Sequence, residues 1–268
     1  MAKPEQISSA ANPLVKSVRR AIGRGILTED GLCVAESFHL LEEALRSDCA
    51  VKAVLAARSV QSAVETHVRR LQGIRIAVLP DALFQSLAGT ETSQGVIALV
   101  EPPSWVIEQL FRGRSLVVAL DGVQDPGNAG TIVRAAEAFG ATGVLFLKGT
   151  ASPFNPKTLR ASAGSLFRMP FVHCIDAELA LAAFKQNKVD AYAGVPFSGK
   201  NHVKPLPDAD FTRKCAVIIG SEGRGVSESL HGGAIDLAIP TVGVESLNAA
   251  MAASVILYEA RRQRSLKP

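Results

Sequence analysis

Cys215-Ala216-Val217-Ile218-Ile219-Gly220-Ser221-Glu222-Gly223-Arg224-Gly225 sets an unbroken run of small and apolar residues directly before a loop rich in glycine. A short apolar run cut off by glycines reads as a strand buried on both faces, and such strands belong to mostly parallel sheets covered by helices. Working outward, Leu116 to Leu120, Gly143 to Leu147, Val189 to Ala193 and Ile235 to Ile239 repeat the pattern. Ala129 to Phe139, Ala177 to Gln186 and Leu247 to Arg262 read as the helices between and after them. In the last, Leu247, Met251, Val255 and Tyr258 recur on one helical face.

The first half alternates in the same way on a smaller scale. Strands are expected at Leu32 to Ala35, Val51 to Ala56, Ile74 to Leu79 and Val96 to Val100, and helices at Phe38 to Leu45, Val60 to Leu71 and Asp81 to Leu87. Glu101-Pro102-Pro103-Ser104-Trp105 interrupts the alternation, because two prolines remove donors and restrict the residues before them. The expected organisation is therefore an α/β domain over 1–100, a linker over 101–111 and a larger parallel-sheet α/β domain over 112–268. No internal repeat is visible.

Composition narrows the function classes. In 268 residues, 47% are hydrophobic and 20% charged, enough to bury a core. The weakly polar run Ala249 to Leu257 is too short for a bilayer span, and no apolar leader follows Met1, so export is not expected. The four cysteines, at 33, 49, 174 and 215, form no CxxC pair, which argues for reduced thiols in a cytoplasm and against a zinc site. The net charge is +4; residues 1–110 carry 11 basic and 12 acidic side chains, so the excess lies in the second half. There, 148–168 holds Lys148, Lys157, Arg160 and Arg168 with no acid, and Arg261, Arg262, Arg264 and Lys267 crowd the tail. Both runs are candidates for phosphate contacts, weighed against an ordinary solvated face.

Ligands of open parallel sheets bind at the carboxyl ends of strands, and three such ends carry unusual residues. Asp121 to Arg134 forms a Gly/Pro loop in which Asn128 suits a helix N-cap, and it places Arg134 among the apolar Ile132, Val133, Ala135 and Ala136, where an arginine is usually paired or faces a ligand. Gly220 to Gly225 is spaced GxxGxG, unlike the GxGxxG of dinucleotide folds, and holds Glu222 between two small residues. Ile239 to Asn248 contains Ser246 and Asn248, each able to cap the last helix. The absence of His, Cys and a carboxylate pair from these loops argues against a nucleophilic triad, a metal centre and glycoside hydrolysis. His173, His202 and His231 fall outside them and read as structural or solvated.

Asn128-Ala129-Gly130-Thr131-Ile132-Val133-Arg134, Ile219 to Gly225, and Ile239-Pro240 through Ser246-Leu247-Asn248 resemble the three motifs of the SpoU (TrmH-like) RNA 2′-O-ribose methyltransferases of the SPOUT class, in order, over roughly residues 112–265. Ile7-Ser8-Ser9, Asn12 to Lys16 and Gln94-Gly95-Val96 are similar to the ends of that family's ribosomal-protein-like N-terminal domain, although Glu36-Ser37 stands where a Glu-Gly pair is usual. The resemblance implies a C-terminal trefoil knot, a homodimer through that domain, and methyl transfer from S-adenosylmethionine to a ribose 2′-hydroxyl, in ribosomal RNA by preference and transfer RNA otherwise. It implies catalytic roles for Asn128, Arg134, Glu222, Ser246 and Asn248. It implies cofactor contacts from Gly220, Glu222, Gly223, Ile239, Pro240, Ser246, Leu247 and Asn248, and no metal. RNA contacts are expected from Lys16, Arg19, Arg20, Lys157, Arg160 and Arg168. Arg134 is often given the role of base in the family, whereas a guanidinium that stays protonated suits anchoring. A nicotinamide-dependent oxidoreductase lacks its fingerprint here, and an inactive RNA-binding relative would have lost the polar loop residues.

Overall fold

The protein is described by a computed structural model covering residues 4–69, 73–90, 92–197 and 203–265. It divides into two compact units, one reaching to Ser104 and adding Phe154–Arg168, the other made of Trp105–Pro153 and the chain from Met169 onward.

In the first unit, β1 (Glu5–Gln6), α1 (Pro13–Arg24), β2 (Cys33–Glu36), α2 (Phe38–Arg46), β3 (Val51–Ala57), α3 (Gln61–Val68), β4 (Arg75–Leu79), α4 (Asp81–Leu87) and β5 (Val96–Val100) follow in order. The sheet order is β1-β4-β3-β5-β2, parallel from β1 to β3 and antiparallel where β5 pairs with β3 and β2. Its core gathers Val15, Val18, Leu55, Leu79, Phe84 and Ile97. Helix α1 was not among the expected elements, yet its signals are local: Asn12 accepts from the Leu14 N–H, Pro13 opens the helix and Gly25 closes it at φ 64°. The expected helix to Leu71 is seen to Val68 with Arg69 as its C-cap, and Arg70 and Leu71 lie outside the described residues.

The second unit runs through β6 (Leu116–Asp121), α5 (Pro126–Ala138), β7 (Gly143–Leu147), β8 (Phe171–Ile175), α7 (Ala177–Gln186), β9 (Asp190–Gly194), β10 (Lys204–Pro205), β11 (Cys215–Gly220), α8 (Glu228–His231), β12 (Ile235–Ala238) and α9 (Ala249–Ser265), with α6 (Pro156–Ala161) excursing to the first unit. All pairs of its seven strands are parallel, in the order β10-β12-β9-β11-β6-β7-β8. Strand β8 is not legible in the sequence because it is an edge strand whose centre, His173 and Cys174, is exposed or half-buried. The order reverses at β6 and β11, where Gly220 stands opposite Asp121 in register; loops leaving these two strands emerge side by side.

Two expectations change here. Phe154–Arg168 follows β7 in the chain, but its helix lies on β2 of the first unit. There Arg160 meets the Glu36 carboxylate at 2.8 Å and Arg168 pairs with Glu43, both carboxylates being buried. The tail is also not a uniform cationic face. Arg262 is bound to Glu259, and Arg264, only 9% exposed, donates to the carbonyls of Phe211, Arg114, Ser115 and Arg213 and to the Cys215 sulfur. Lys267 lies outside the described residues.

Candidate active site

Register at the sheet's carboxyl edge sets the geometry. Asp121, at the end of β6, accepts the Ser227 N–H at 2.7 Å and so ties the loop after β11 to its neighbour. Gly220 has no room for a side chain, since a Cβ would run into the backbone of Gly225 and Val226. The cap of α5 is Asp125, whose carboxylate accepts the Asn128 N–H at 2.8 Å; Asn128 itself sits in the first turn. The expected capping role therefore passes to Asp125, whose carboxylate lies one residue before Pro126, the usual opening residue of a helix.

Freed from capping, the Asn128 amide donates to Glu222 Oε1 at 2.5 Å and accepts from the Asn248 amide at 3.3 Å. Asn248 in turn caps α9, accepting from the Ala250 N–H at 2.9 Å. One residue from each of the three loops thus joins a single polar chain. Ser246 is exposed beside it. Arg134 is not drawn in: it stands exposed on α5, with no hydrogen bond or ion pair among the described residues.

Next to this chain lies a cavity of about 350 Å³. Of the expected cofactor residues, Gly220, Glu222, Gly223, Ile239, Ser246 and Leu247 line it, whereas Pro240 and Asn248 do not. Its walls also include Gly194, Val195, Pro196 and Phe197, which sequence reasoning missed. They form a fourth carboxyl end, that of β9, which pairs with β11 and β12; the same strand-end rule applied to Val189 to Ala193 finds them. Ile256 from α9 closes the floor.

A cleft of this size, lined about equally by apolar and polar groups, suits a small cofactor. S-adenosylmethionine fits: Ile219, Leu237, Ile239 and Leu247 offer an apolar wall for its adenine, Ser221, Thr241 and Ser246 offer hydroxyls, and the carboxylates of Glu222 and Glu245 suit its positive charges. Of the histidines, His231 bonds Asp236 at 2.7 Å and His173 is held below its ordinary range by burial; His202 lies outside the described residues. No group of three or more His, Cys, Asp or Glu among the described residues is placed to hold a metal.

Known proteins resemble the chain over most of its length. Residues 115–258 match the family described as SpoU rRNA Methylase, and residues 12–98 match the MRM3-like substrate binding domain. The 23S rRNA (guanosine(2553)-2′-O)-methyltransferase RlmP of Bacillus subtilis is 34% identical, with 96% of this chain and 99% of that one covered. The human mitochondrial rRNA methyltransferase 3 is 30% identical, covering 88% of this chain and 68% of its own length. The crystal structure of the SpoU methyltransferase AviRb from Streptomyces viridochromogenes in complex with AdoMet superposes with a TM-score of 0.82 at 26% identity, over 95% of this chain and 98% of that one. By sequence and fold, the chain belongs to the SpoU rRNA Methylase family.

Proposed function

We propose that this protein is an S-adenosylmethionine-dependent RNA ribose 2′-O-methyltransferase and that its substrate is ribosomal RNA. The observation that carries the reading is the Glu222–Asn128–Asn248 chain beside the cavity, which joins the three motif loops at one edge. When bound, the cofactor supplies a methyl group on a sulfonium. The chain's own residues do the rest. Glu222 fixes the Asn128 amide by accepting from its nitrogen, which turns the Asn128 oxygen toward Asn248. Gly220 and Gly223 let the backbone approach the ligand closely, and Ile239 and Leu247 exclude water from one wall.

Arg134, exposed and unengaged, is assigned to hold a phosphate or the ribose oxygen of the RNA, because its planar fork binds anions bidentately. A guanidinium keeps its proton in proteins, so the 2′-hydroxyl proton leaves to solvent or to the substrate's own phosphate. Lys16, Arg19 and Lys157 are assigned to RNA; Arg20, Arg160 and Arg168 are assigned to their carboxylates instead.

The same reading makes the protein a cytoplasmic homodimer with the family's trefoil knot. In support, the periodic face of α9 is the outward one: Met251, Val255 and Tyr258 are exposed, while Ala253, Leu257 and Ala260 are buried. Val242 and Val244 add apolar surface. No described helix is long and apolar enough to cross a membrane.

The test is to map 2′-O-methyl sites in total RNA with and without the protein. A new site in ribosomal RNA supports the reading, a site confined to transfer RNA replaces the substrate, and none at all removes the enzymatic claim. Calorimetry with S-adenosylmethionine must give heat where NADH gives none. Light scattering that returns a mass near 28 kDa refutes the dimer.

A further inference from the structure

We infer that the outer face of helix α1 is a track for the sugar-phosphate backbone of double-helical RNA, reading its shape and not its bases; this rests on the RNA reading above. Val15, Ser17, Val18 and Ala21 turn inward. The opposite face is cationic from end to end: Lys16, Arg19, Arg20 and Arg24 are all exposed, and Pro13–Arg24 contains no acidic residue. At about 100° per residue these four and Gly23 fall within a stripe roughly 140° wide, and Lys16 to Arg24 spans about 12 Å.

Three of the four charges are uncommitted. Arg20 is bound to Glu29 at 3.0 Å, whereas Lys16, Arg19 and Arg24 make no ion pair or hydrogen bond among the described residues. The arginines that look as basic in the sequence, Arg160 and Arg168, are paired with Glu36 and Glu43. Gly23 lies in mid-stripe with nothing within 4 Å of where a Cβ would stand, so the surface is open to a close approach.

The stripe also continues past the end of its helix. A Cβ on Gly25 would run into the Asn155 side chain, and that side chain accepts the Lys157 N–H at 2.9 Å. The segment that carries exposed Lys157 is thereby anchored at the end of α1, more than a hundred residues away in sequence.

The chemistry of this face selects its ligand. Single-stranded RNA is held by aromatic side chains on which unstacked bases lie, and Pro13–Arg24 offers none. Duplex RNA is recognised through its phosphates and 2′-hydroxyls, and a nucleic-acid duplex carries about one charge per 1.7 Å of axis. A straight, rigid row of cations with a gap at Gly23 fits that outline.

The test measures binding by fluorescence anisotropy for a 16-base-pair RNA duplex of arbitrary sequence and for one of its strands alone, across a salt series. The wild type should bind the duplex at least tenfold more tightly than the strand. K16Q/R19Q/R24Q should lose about tenfold or more on the duplex and lower the salt slope by roughly 2 to 3, at about 0.9 for each phosphate no longer neutralised. G23E guards against misfolding, since its side chain enters open space and replaces a poor helix former; it should weaken duplex binding with no loss of thermal stability. R20Q, whose arginine already has a partner, should change less than any of the three. A strand bound as tightly as the duplex, or a triple variant with an unchanged slope, overturns the inference. S-adenosylmethionine affinity and methyl transfer are measured alongside: no transfer by the wild type counts against the enzymatic reading, while duplex affinity still decides the stripe.

Discussion

The two ends of helix α9 divide its work. At its start, Asn248 caps the helix and reaches Asn128, in a region where Glu222, Ser246 and Asn248 stand open or partly open to solvent. At its other end Arg264 is enclosed, with four carbonyls and a thiol around one guanidinium. Burial holds Arg264 below the usual arginine range and pushes the Cys215 thiol up to about 11. The same kinds of polar group serve ligands at one end and the fold at the other. What separates them is whether the backbone around them has already supplied partners. Arg134, on α5 which packs against α9, belongs with the first end; Arg160 and Arg168 behave like Arg264.

The largest effect tests the enclosed end. Arg264→Met leaves several buried carbonyls without donors, each costing about 1–3 kcal/mol, so we expect a total loss of about 4 kcal/mol. Thermal melting should fall by about 10 °C while the KM for S-adenosylmethionine in the folded fraction stays put. A melting point within about 2 °C of wild type would end the contrast between the two ends.

Arg134→Ala should do the reverse. Loss of a positioned donor costs on the order of 100-fold in kcat, with S-adenosylmethionine affinity and melting temperature nearly unchanged. Arg134→Lys separates charge from fork geometry: if it works at near wild-type rate, charge alone suffices. Glu222→Ala, which lines the cavity and holds Asn128, should lower kcat and raise the KM for the cofactor together. Activity retained by Arg134→Ala would remove this loop from the chemistry.

Arg160→Met carries the comparison into the first unit. Its partner Glu36 is 3% exposed at the side chain while Arg160 is 28% exposed, so part of a buried pair's usual cost is lost to solvent. About 2 kcal/mol is expected in denaturant unfolding. If the variant is fully stable yet binds RNA poorly, Arg160 is a phosphate contact after all.

The smallest effect is on acid stability. Burial works to raise the Glu43 carboxyl, but hydrogen bonding and charge from Arg168 outweigh it and hold the group below the usual carboxylate range. A carboxyl lowered in the folded state contributes stability above its unfolded pKa and loses that contribution as pH falls through the folded value. Wild type should therefore destabilise more than Glu43→Gln between about pH 4.5 and 3. Parallel curves through that range would deny the pair a role in stability.

Legibility followed the range of the interactions. Strand β11, the glycine loop after it and the cap at Asn248 were readable because apolar runs, glycines and caps act over a few neighbouring residues. Helix α1 is just as local in its signals, from Asn12-Pro13 to Gly25, but four cations dilute its short apolar stripe and make the segment read as a basic, Pro-containing start. Phe197 was within reach of the strand-end rule, since Val189 to Ala193 reads as a strand, but only the placing of β9 between β11 and β12 brings it to the same cavity as the other loops. The direction of α9's apolar face also depended on packing, since small alanines let it lie close to its neighbours and left the larger Met251 and Tyr258 outside.

The sequence by itself determined the α/β class with its larger parallel sheet and the identity of the polar residues at the sheet edge, because composition, periodicity and turn chemistry are properties of short stretches. Only the tertiary structure decided which of those residues meet and which arginines remain available. Glu222 and Asn128 lie 94 positions apart, and Arg160 and Glu36 lie 124 apart. No local preference encodes such pairs; they exist because strands β6 and β11 are neighbours in register, and because α6 packs on β2.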